Sequence, residues 1–273
     1  MKKKSISHII DDNTSKLIML IFEKSYYIML WEMAAAEFRM KDQGTFLGFL
    51  WTLLYPLIYF LVLYGLFRKW MGQKISNFPL YLIIGIVQWG FFCAATMSAI
   101  NTIRDHAALI KSISFPKSVL VVSSVLAVLF SHLLELCILL VFWLMVGENF
   151  GWTVLGLIPI LALNVYLVLG VSFILSVIGI YFLDIFRIWG IFTNVGLFLT
   201  PIFYSLDMIE PVKRKIIMLN PMSRIIQASR EILIDNKVPE MGGLVYVFIL
   251  STVIMVIGYA LFKKQEGFFV EKI

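Results

Sequence analysis

The stretch that decides the fold is EFRMKDQGTFLGFLWTLLYP, residues Glu37 to Pro56, where a charged segment turns abruptly into apolar sequence. From Phe46 to Phe67 the only ionisable side chains are those of tyrosines. At about 1.5 Å per helical residue, this run is long enough to cross a hydrocarbon core of roughly 30 Å. The sequence therefore predicts a first transmembrane helix here, with the lysine-rich residues before it on the cytoplasmic side.

Composition places the whole chain in the class of polytopic helical membrane proteins. Of its 273 residues, 60% are hydrophobic and only 15% are charged, and the mean hydropathy is +0.91. A soluble domain of this length is more polar. The net charge of +6 is typical of a protein that is anchored to anionic lipid, and we expect no nucleic-acid partner.

Five further apolar runs bring the number of predicted spans to six. An even number puts both termini on one side, and the distribution of Lys and Arg favours the cytoplasmic side for them. We expect a single transmembrane domain over residues 1–273, with a cytoplasmic or interfacial amino-terminal segment (1–45), a six-span bundle (46–262) and a cytoplasmic tail (263–273). The further runs extend from about Phe78 to Ile103, Val119 to Val146, Val154 to Phe182, Ile188 to Tyr204 and Leu244 to Phe262.

Two segments outside these spans also have apolar residues at helical spacing. Charged side chains interrupt the run from Leu17 to Met40, which predicts a helix lying in the membrane interface, with a seventh span as the alternative. The segment from Ser205 to Gly243 is broken by three prolines. It predicts two short re-entrant helices between spans five and six, and an amphipathic loop on the membrane surface is the alternative.

The sequence lacks the common motifs of enzymes and metal sites. It contains no GxxxxGK[ST], HExxH, CxxC or GxSxG pattern, so we expect no catalytic residue, no metal site and no nucleotide hydrolysis by this chain alone. His132 and Glu135 lie three residues apart in the third predicted span and could form a hydrogen-bonded pair. Such a pair can be structural, can support a helix contact or can carry protons.

A short charged segment from Arg104 to Ser118 joins the second and third predicted spans. Apolar residues alternate with charged ones here, and Phe115-Pro116 marks the end of one helix before the next begins. The segment predicts a short helix along the membrane that presents one face to a soluble partner. An ordinary cytoplasmic loop is the alternative.

Aromatic side chains make up 15% of the chain and cluster in several spans. Tyr and Trp collect at membrane interfaces, so an interfacial belt explains them. Aromatic faces also stack on the apolar faces of sugar rings, and a ring-lined path would suit a glycan. The candidate residues for such a path are Tyr59, Trp89, Phe92, Phe203 and Tyr204.

Several motifs, in their order along the chain, resemble the membrane subunits of type-2 ABC exporters that move bacterial surface polysaccharides, O-antigen exporters above all. Besides the stretch from Glu37 to Pro56, these motifs are GIVQWGFF (Gly85 to Phe92), ISFP (Ile113 to Pro116), TPIFY (Thr200 to Tyr204) and LNP (Leu219 to Pro221). The chain departs from the family pattern at three positions. Lys41 and Leu183 stand where the family usually has arginine, and Gln88 replaces a frequent proline.

The resemblance implies an ATP-driven permease that moves a lipid-linked polysaccharide outward across the bacterial cytoplasmic (inner) membrane. It implies a homodimer docked on two copies of a separate ABC ATPase, which would use ATP and Mg²⁺, so that this chain binds no cofactor itself. Lipid-linked polysaccharide and membrane lipid are the remaining partners. The residues implied in coupling to the ATPase are Glu37, Arg39, Lys41, Arg104, Asp105, Ile110, Lys111, Ile113, Phe115 and Pro116.

Three other functions stay open from the sequence. An ABC exporter of a drug, lipid or peptide would have the same architecture. A membrane-embedded glycosyltransferase typically needs paired acids at a membrane face, and Asp184 has no obvious acidic neighbour. An ion-coupled transporter would need an acid within a span, and Glu135 is its best candidate.

Overall fold

The structure, a computed structural model, describes residues 26–40, 50–146 and 151–272. Within these ranges every regular element is a helix. Five of the helices are long and apolar enough to cross a membrane, and one further apolar helix is shorter. The all-α membrane fold that the composition predicted is confirmed, and the chain is a multi-pass membrane protein.

We number the helices in chain order, beginning with the helical residues 26–40 as α1. The others are α2 (Leu50–Met71), α3 (Phe78–Asp105), α4 (Ala107–Ser112), α5 (Ser118–Val146), α6 (Leu157–Tyr181), α7 (Ile185–Leu199), α8 (Pro211–Ile217), α9 (Pro221–Leu233), α10 (Met241–Gln265) and α11 (Phe269–Lys272). Short 3-10 turns precede α6 and α8 and separate α10 from α11.

Most predicted spans agree with these helices to within a few residues. The first predicted span begins at Phe46, which lies outside the described residues, and α2 continues past its predicted end at Phe67. The last turn of α2 contains Arg68 and Lys69, whose long side chains keep their charges in water while the backbone stays helical. Residues 1–25, which include much of the predicted interfacial helix, also lie outside the described residues.

The fifth predicted span differs most from the structure. We expected it from about Ile188 to Tyr204, whereas α7 comprises the 15 residues from Ile185 to Leu199. The helix ends before Pro201 because a residue that precedes proline is driven out of the helical conformation. Thr200 accordingly has an extended backbone, with φ −98° and ψ 138°.

The central element of the bundle is α3, which packs against α2, α5, α6, α7 and α9. Its neighbour α6 crosses α10 at very short distance because glycines lie at the crossing point. A Cβ atom on Gly258 would lie 2.5 Å from the carbonyl oxygen of Gly170. Small residues of this kind let helix backbones approach each other within a membrane.

The two short helices predicted between spans five and six are present as α8 and α9. Each begins with a proline, a residue whose fixed φ suits the first turn of a helix. The side chain of Asn220 caps α9 by accepting a hydrogen bond of 3.0 Å from the N–H of Met222. Since α9 packs against α3, α6 and α10, it is part of the bundle rather than a surface loop.

The short helices lie at opposite ends of the bundle. Near the carboxyl end of α3, α4 contacts α11, and α1 lies beside α5, with the rings of Trp31 and Phe130 5.4 Å apart. Near the amino end of α3, Arg230 of α9 contacts Tyr81. We call these the α4 end and the α9 end of the bundle.

Candidate functional site

A groove of about 490 Å³ lies between α2 and α7, with α3 between them and one residue of α5 in its wall. Tyr55 and Tyr59, one turn apart on α2, stack with their ring centroids 6.2 Å apart. Together with these two tyrosines, the lining side chains that matter below are Trp51, Trp89, Glu135 and Asn194. The groove therefore combines aromatic faces with a few polar groups, as ligand sites commonly do.

The position of Trp89 depends on a glycine of the facing helix. A Cβ atom on Gly196 of α7 would lie 2.9 Å from two atoms of the Trp89 ring. Because glycine leaves this space free, the indole lies directly against α7, and only its edge reaches the groove, with 5% of the residue exposed. Trp89 thus forms part of the wall rather than projecting into the opening.

The predicted pair in the third span is present beside this groove. Nδ1 of His132 lies 3.5 Å from Oε2 of Glu135, at the long limit of a hydrogen bond. The His132 ring is buried and stacks on Phe91, with centroids 4.5 Å apart. Glu135 lines the groove, a location that its position in the sequence did not reveal.

The structure brings two of the five predicted path residues together. Tyr59 and Trp89 both line the groove. Phe92 lies behind Trp89, with ring centroids 5.4 Å apart, and does not line the groove. Phe203 and Tyr204 lie near the α9 end, where Phe203 stacks on Phe67 of α2 and the Tyr204 carbonyl accepts a hydrogen bond of 2.9 Å from the Tyr81 hydroxyl.

The predicted coupling segment folds as a short helix, α4, flanked by turns. Arg104 donates a hydrogen bond of 2.6 Å to the carbonyl of Ile180, and Ile110 is buried, at 4% exposure, in a cluster with residues of α6, α10 and α11. These two residues hold the segment in place, Ile110 as a buried side chain and Arg104 as a half-buried one. The predicted coupling residues of this segment that are exposed are Asp105, Lys111, Ile113 and Pro116, and Phe115 is half-buried.

The predicted coupling residues of the amino-terminal helix point in different directions. Glu37 faces inward, 3.8 Å from Nε2 of His106, and accepts a hydrogen bond of 3.2 Å from the Ser123 hydroxyl. Burial raises the pKa of Glu37 above that of an exposed glutamate, and His106 and Ser123 oppose this rise. Arg39 is exposed, and Lys41 lies outside the described residues.

The main residue that the sequence interpretation missed is Arg230. Its side chain is 2% exposed and donates hydrogen bonds to the backbone carbonyls of Tyr81, Pro201 and Ile202. The sequence does contain a pattern that indicates a buried arginine at position 230. Arg230 lies four residues after Ile226 and three before Leu233, on the apolar face of an amphipathic helix, where an arginine needs buried partners.

A buried polar chain explains one departure from the family pattern. Nε2 of Gln88 donates to the Ser229 hydroxyl at 3.1 Å, and Gln88 Oε1 accepts from Nδ2 of Asn164 at 2.8 Å. These bonds join α3 to α9 and α6. A proline at position 88 would lack this side chain, so the polar connection is particular to a glutamine at this site.

Comparison with known proteins identifies the family. The ABC-2 type transporter family matches residues 29–234. An O-antigen export system permease protein, RfbA, from Myxococcus xanthus is 28% identical over 260 residues, which cover 94% of this chain and 100% of the relative. The RfbA protein of Klebsiella pneumoniae is 27% identical over 86% of this chain and 91% of the relative. The polysialic acid transport protein KpsM of Escherichia coli is 25% identical over 84% of this chain and 90% of the relative.

The family match covers most of the chain and includes the helices from α2 to α9. It therefore covers all four helices that line the groove, the segment 104–116 and the α9 end together. A permease of a transporter family moves its cargo across the membrane without changing it chemically. From its sequence and its helical architecture, the chain belongs to the ABC-2 type transporter family.

Proposed function

We propose that this chain is the membrane-spanning subunit of an ATP-driven exporter that moves a lipid-linked polysaccharide, of the O-antigen type, outward across the bacterial cytoplasmic membrane. The observation that carries the proposal is the similarity to permeases of O-antigen export along nearly the whole chain. Membership in a transporter family also favours transport over the glycosyltransferase alternative.

The energy for export comes from a separate ABC ATPase, of which two copies bind ATP and Mg²⁺. Support for a separate subunit comes from the sequence, which has no phosphate-binding loop of its own. The ATPase docks on the α4 end, where the exposed residues of segment 104–116 and Arg39 of α1 are available. In this orientation both termini are cytoplasmic and the α9 end faces outward.

Two copies of the chain form the complete path. The outward faces of α2 and α7 on either side of the groove carry exposed apolar side chains, among them Ile58, Leu61, Ile191 and Val195. A second copy placed against these faces buries them and closes the open side of the groove. Membrane lipid covers the remaining outward helices, α10 in particular.

The aromatic lining of the groove suits a polysaccharide that moves along it. Tyr55 and Tyr59 offer ring faces to the apolar faces of successive sugars, and the edge of the Trp89 indole completes the aromatic wall. Asn194 can exchange hydrogen bonds with the sugar hydroxyl groups. Stacking is weak for each ring and tolerates changes of position, so a polymer advances without being trapped. Phe203 and Tyr204 continue the aromatic surface towards the α9 end.

The test is co-expression with an ABC ATPase of the same organism, followed by purification in lipid. We expect the two proteins to co-purify and ATP hydrolysis to appear in the complex, while the purified chain alone shows none. Deletion of the chain should remove surface polysaccharide and leave the lipid-linked polymer inside the cell. If no ATPase binds, or if surface polysaccharide is unchanged after deletion, the proposal is wrong.

A further inference from the structure

Glu135 is the only charged side chain in the wall of the groove among the lining residues that the structure describes. We propose that Glu135 is a specificity-determining residue that excludes acidic sugars, so that the groove takes a polysaccharide of neutral or amino sugars. This inference rests on the proposed function, because it assigns a cargo preference to the same groove.

The location of Glu135 gives its charge a strong effect. Its side chain is 15% exposed, and the groove around it is formed mostly by aromatic and aliphatic side chains. Charges interact more strongly next to such groups than in bulk water, since the effective dielectric constant is lower. No lysine or arginine lines the described part of the groove, and the basic group in contact with Glu135 is the His132 ring.

The Glu135 side chain also contacts the buried ring of His132. The His132 ring is 1% exposed and stacks on Phe91, so it cannot turn freely. Its Nδ1 contacts Oε2 of Glu135, and within the described part of the chain its Nε2 has no hydrogen-bond partner. The contact to Glu135 is thus the one polar contact that the described part of the chain gives this ring.

The preference follows from simple chemistry. Sugar hydroxyls and the ammonium groups of amino sugars donate hydrogen bonds to a carboxylate, and such charge-assisted bonds are strong. A uronic or sialic acid brings its own carboxylate, which would meet Glu135 without an intervening cation. The aromatic wall of the groove is the same in both cases, so the charge alone decides between the two classes of sugar.

The experiment compares two probes with the same backbone, an oligogalacturonate and its fully methyl-esterified, uncharged form. Binding of each to the chain in nanodiscs of zwitterionic lipid is measured by calorimetry. We expect the wild type to bind the ester at least about tenfold more tightly, where tenfold corresponds to about 1.4 kcal/mol. Glu135→Gln should bring the two affinities to within about threefold of each other.

Two further variants serve as controls. Glu135→Asp keeps the charge and should keep the preference, which separates the charge from any general damage to the fold. Asp184→Asn removes an exposed acid that is not part of the groove wall, and it should leave the ratio of affinities as in the wild type.

The possible outcomes distinguish this inference from the proposed function. An equal ratio in the wild type and in Glu135→Gln, or tighter binding of the acidic probe by the wild type, would overturn the role of Glu135 and leave a glycan path in place. If neither probe binds to any variant, the groove is no glycan site and both ideas about it fail. ATPase docking and loss of surface polymer on deletion test export independently of either result.

Discussion

The guanidinium carbon of Arg230 lies 3.3 Å from the centroid of the Tyr81 ring, and this contact joins the short helix α9 to the start of the central helix α3. The same guanidinium donates hydrogen bonds of 3.0 Å to the Tyr81 carbonyl, 2.6 Å to that of Pro201 and 2.9 Å to that of Ile202. The buried charge is thus satisfied by backbone oxygens and a ring face. As a result α9, α3 and the turn after α7 are held as one unit.

We expect Arg230→Met to lower the free energy of unfolding by about 2–5 kcal/mol, because buried hydrogen-bonded groups lose their partner. Arg230→Lys should fall between this variant and the wild type, since an ammonium cannot reproduce the planar fork. Thermal unfolding in nanodiscs measures both effects. Arg214→Met, which removes an exposed partner of Asp207, is the control and should change stability by less than about 1 kcal/mol. Equal stability of Arg230→Met and the control would contradict the proposed role of Arg230.

Gly196 should control the position of Trp89. Gly196→Ala places a methyl group 2.9 Å from the indole, which must then shift towards the groove. We expect a change in tryptophan emission and a reduced rate of polysaccharide export. Gly65→Ala on α2 is the control, since no atom lies within 4 Å of the added methyl group and Gly65 does not line the groove. If both variants export at the wild-type rate, the wall formed by Trp89 is unimportant for transport.

The crossing of α6 and α10 should be intolerant of side chains. In Gly258→Ala the new methyl group meets the Gly170 carbonyl oxygen, so the two helices must separate at a cost of about 1–3 kcal/mol. Gly65→Ala on α2, where no atom lies within 4 Å, should be nearly neutral. Unfolding temperatures of the purified variants check the difference, and a Gly258→Ala protein as stable as Gly65→Ala would show that the crossing is less tight than described.

Two isoleucines of the proposed coupling segment 104–116 should respond differently to the same change. Ile113→Asp alters an exposed residue, so we expect loss of ATPase co-purification with the permease still folded. Ile110→Asp buries a charge in the cluster that includes Phe269, so we expect loss of stability first. Size-exclusion chromatography together with pull-down of the ATPase separates the two effects. Normal ATPase binding by Ile113→Asp would remove this residue from the docking surface.

Glu37 should make the packing of α1 dependent on pH. Burial raises its pKa in the folded protein, so the folded state binds the proton more tightly than the unfolded state does. The stability that protonated Glu37 contributes is complete below the ordinary glutamate pKa of about 4.3 and is lost as the pH rises through the raised pKa of the folded state. As the pH rises through this range, the unfolding temperature of the wild type should therefore fall relative to that of Glu37→Gln. A difference between the two proteins that does not vary with pH would contradict this expectation.

Much of the fold could be predicted because long apolar runs have few alternatives in a membrane. The helices around Phe78, Val119 and Leu244 begin within a few residues of the predicted positions. The end of α7 was less predictable, because apolar composition continues beyond Leu199 while Pro201 changes the backbone. Hydropathy measures composition, and it does not detect a change of backbone conformation inside an apolar stretch.

The site was predictable only in part, because its residues come from four separate helices. Tyr59 and Trp89 could be selected as aromatic residues, but the sequence could not show that Phe92 is one layer behind them. Nor could it show that Ile110 is buried while Ile113 is exposed, although the two are only three residues apart. These differences depend on which neighbouring helix covers each side chain, and that is a tertiary property.

The shortness of α7 has a consequence for the lipid bilayer itself. A helix of 15 residues spans about 22 Å at about 1.5 Å per residue, against a hydrocarbon thickness of roughly 30 Å. Where acyl chains reach α7 at the rim of the proposed contact between the two copies, they compress or tilt to avoid exposure to water, so we expect the membrane to be locally thin there. A hydrophilic polymer that passes here crosses a thinner hydrocarbon layer. The lipid headgroups of the two leaflets also come closer to its path. A bilayer of lipids with shorter acyl chains should then need to deform less around this protein than a bilayer of lipids with long acyl chains.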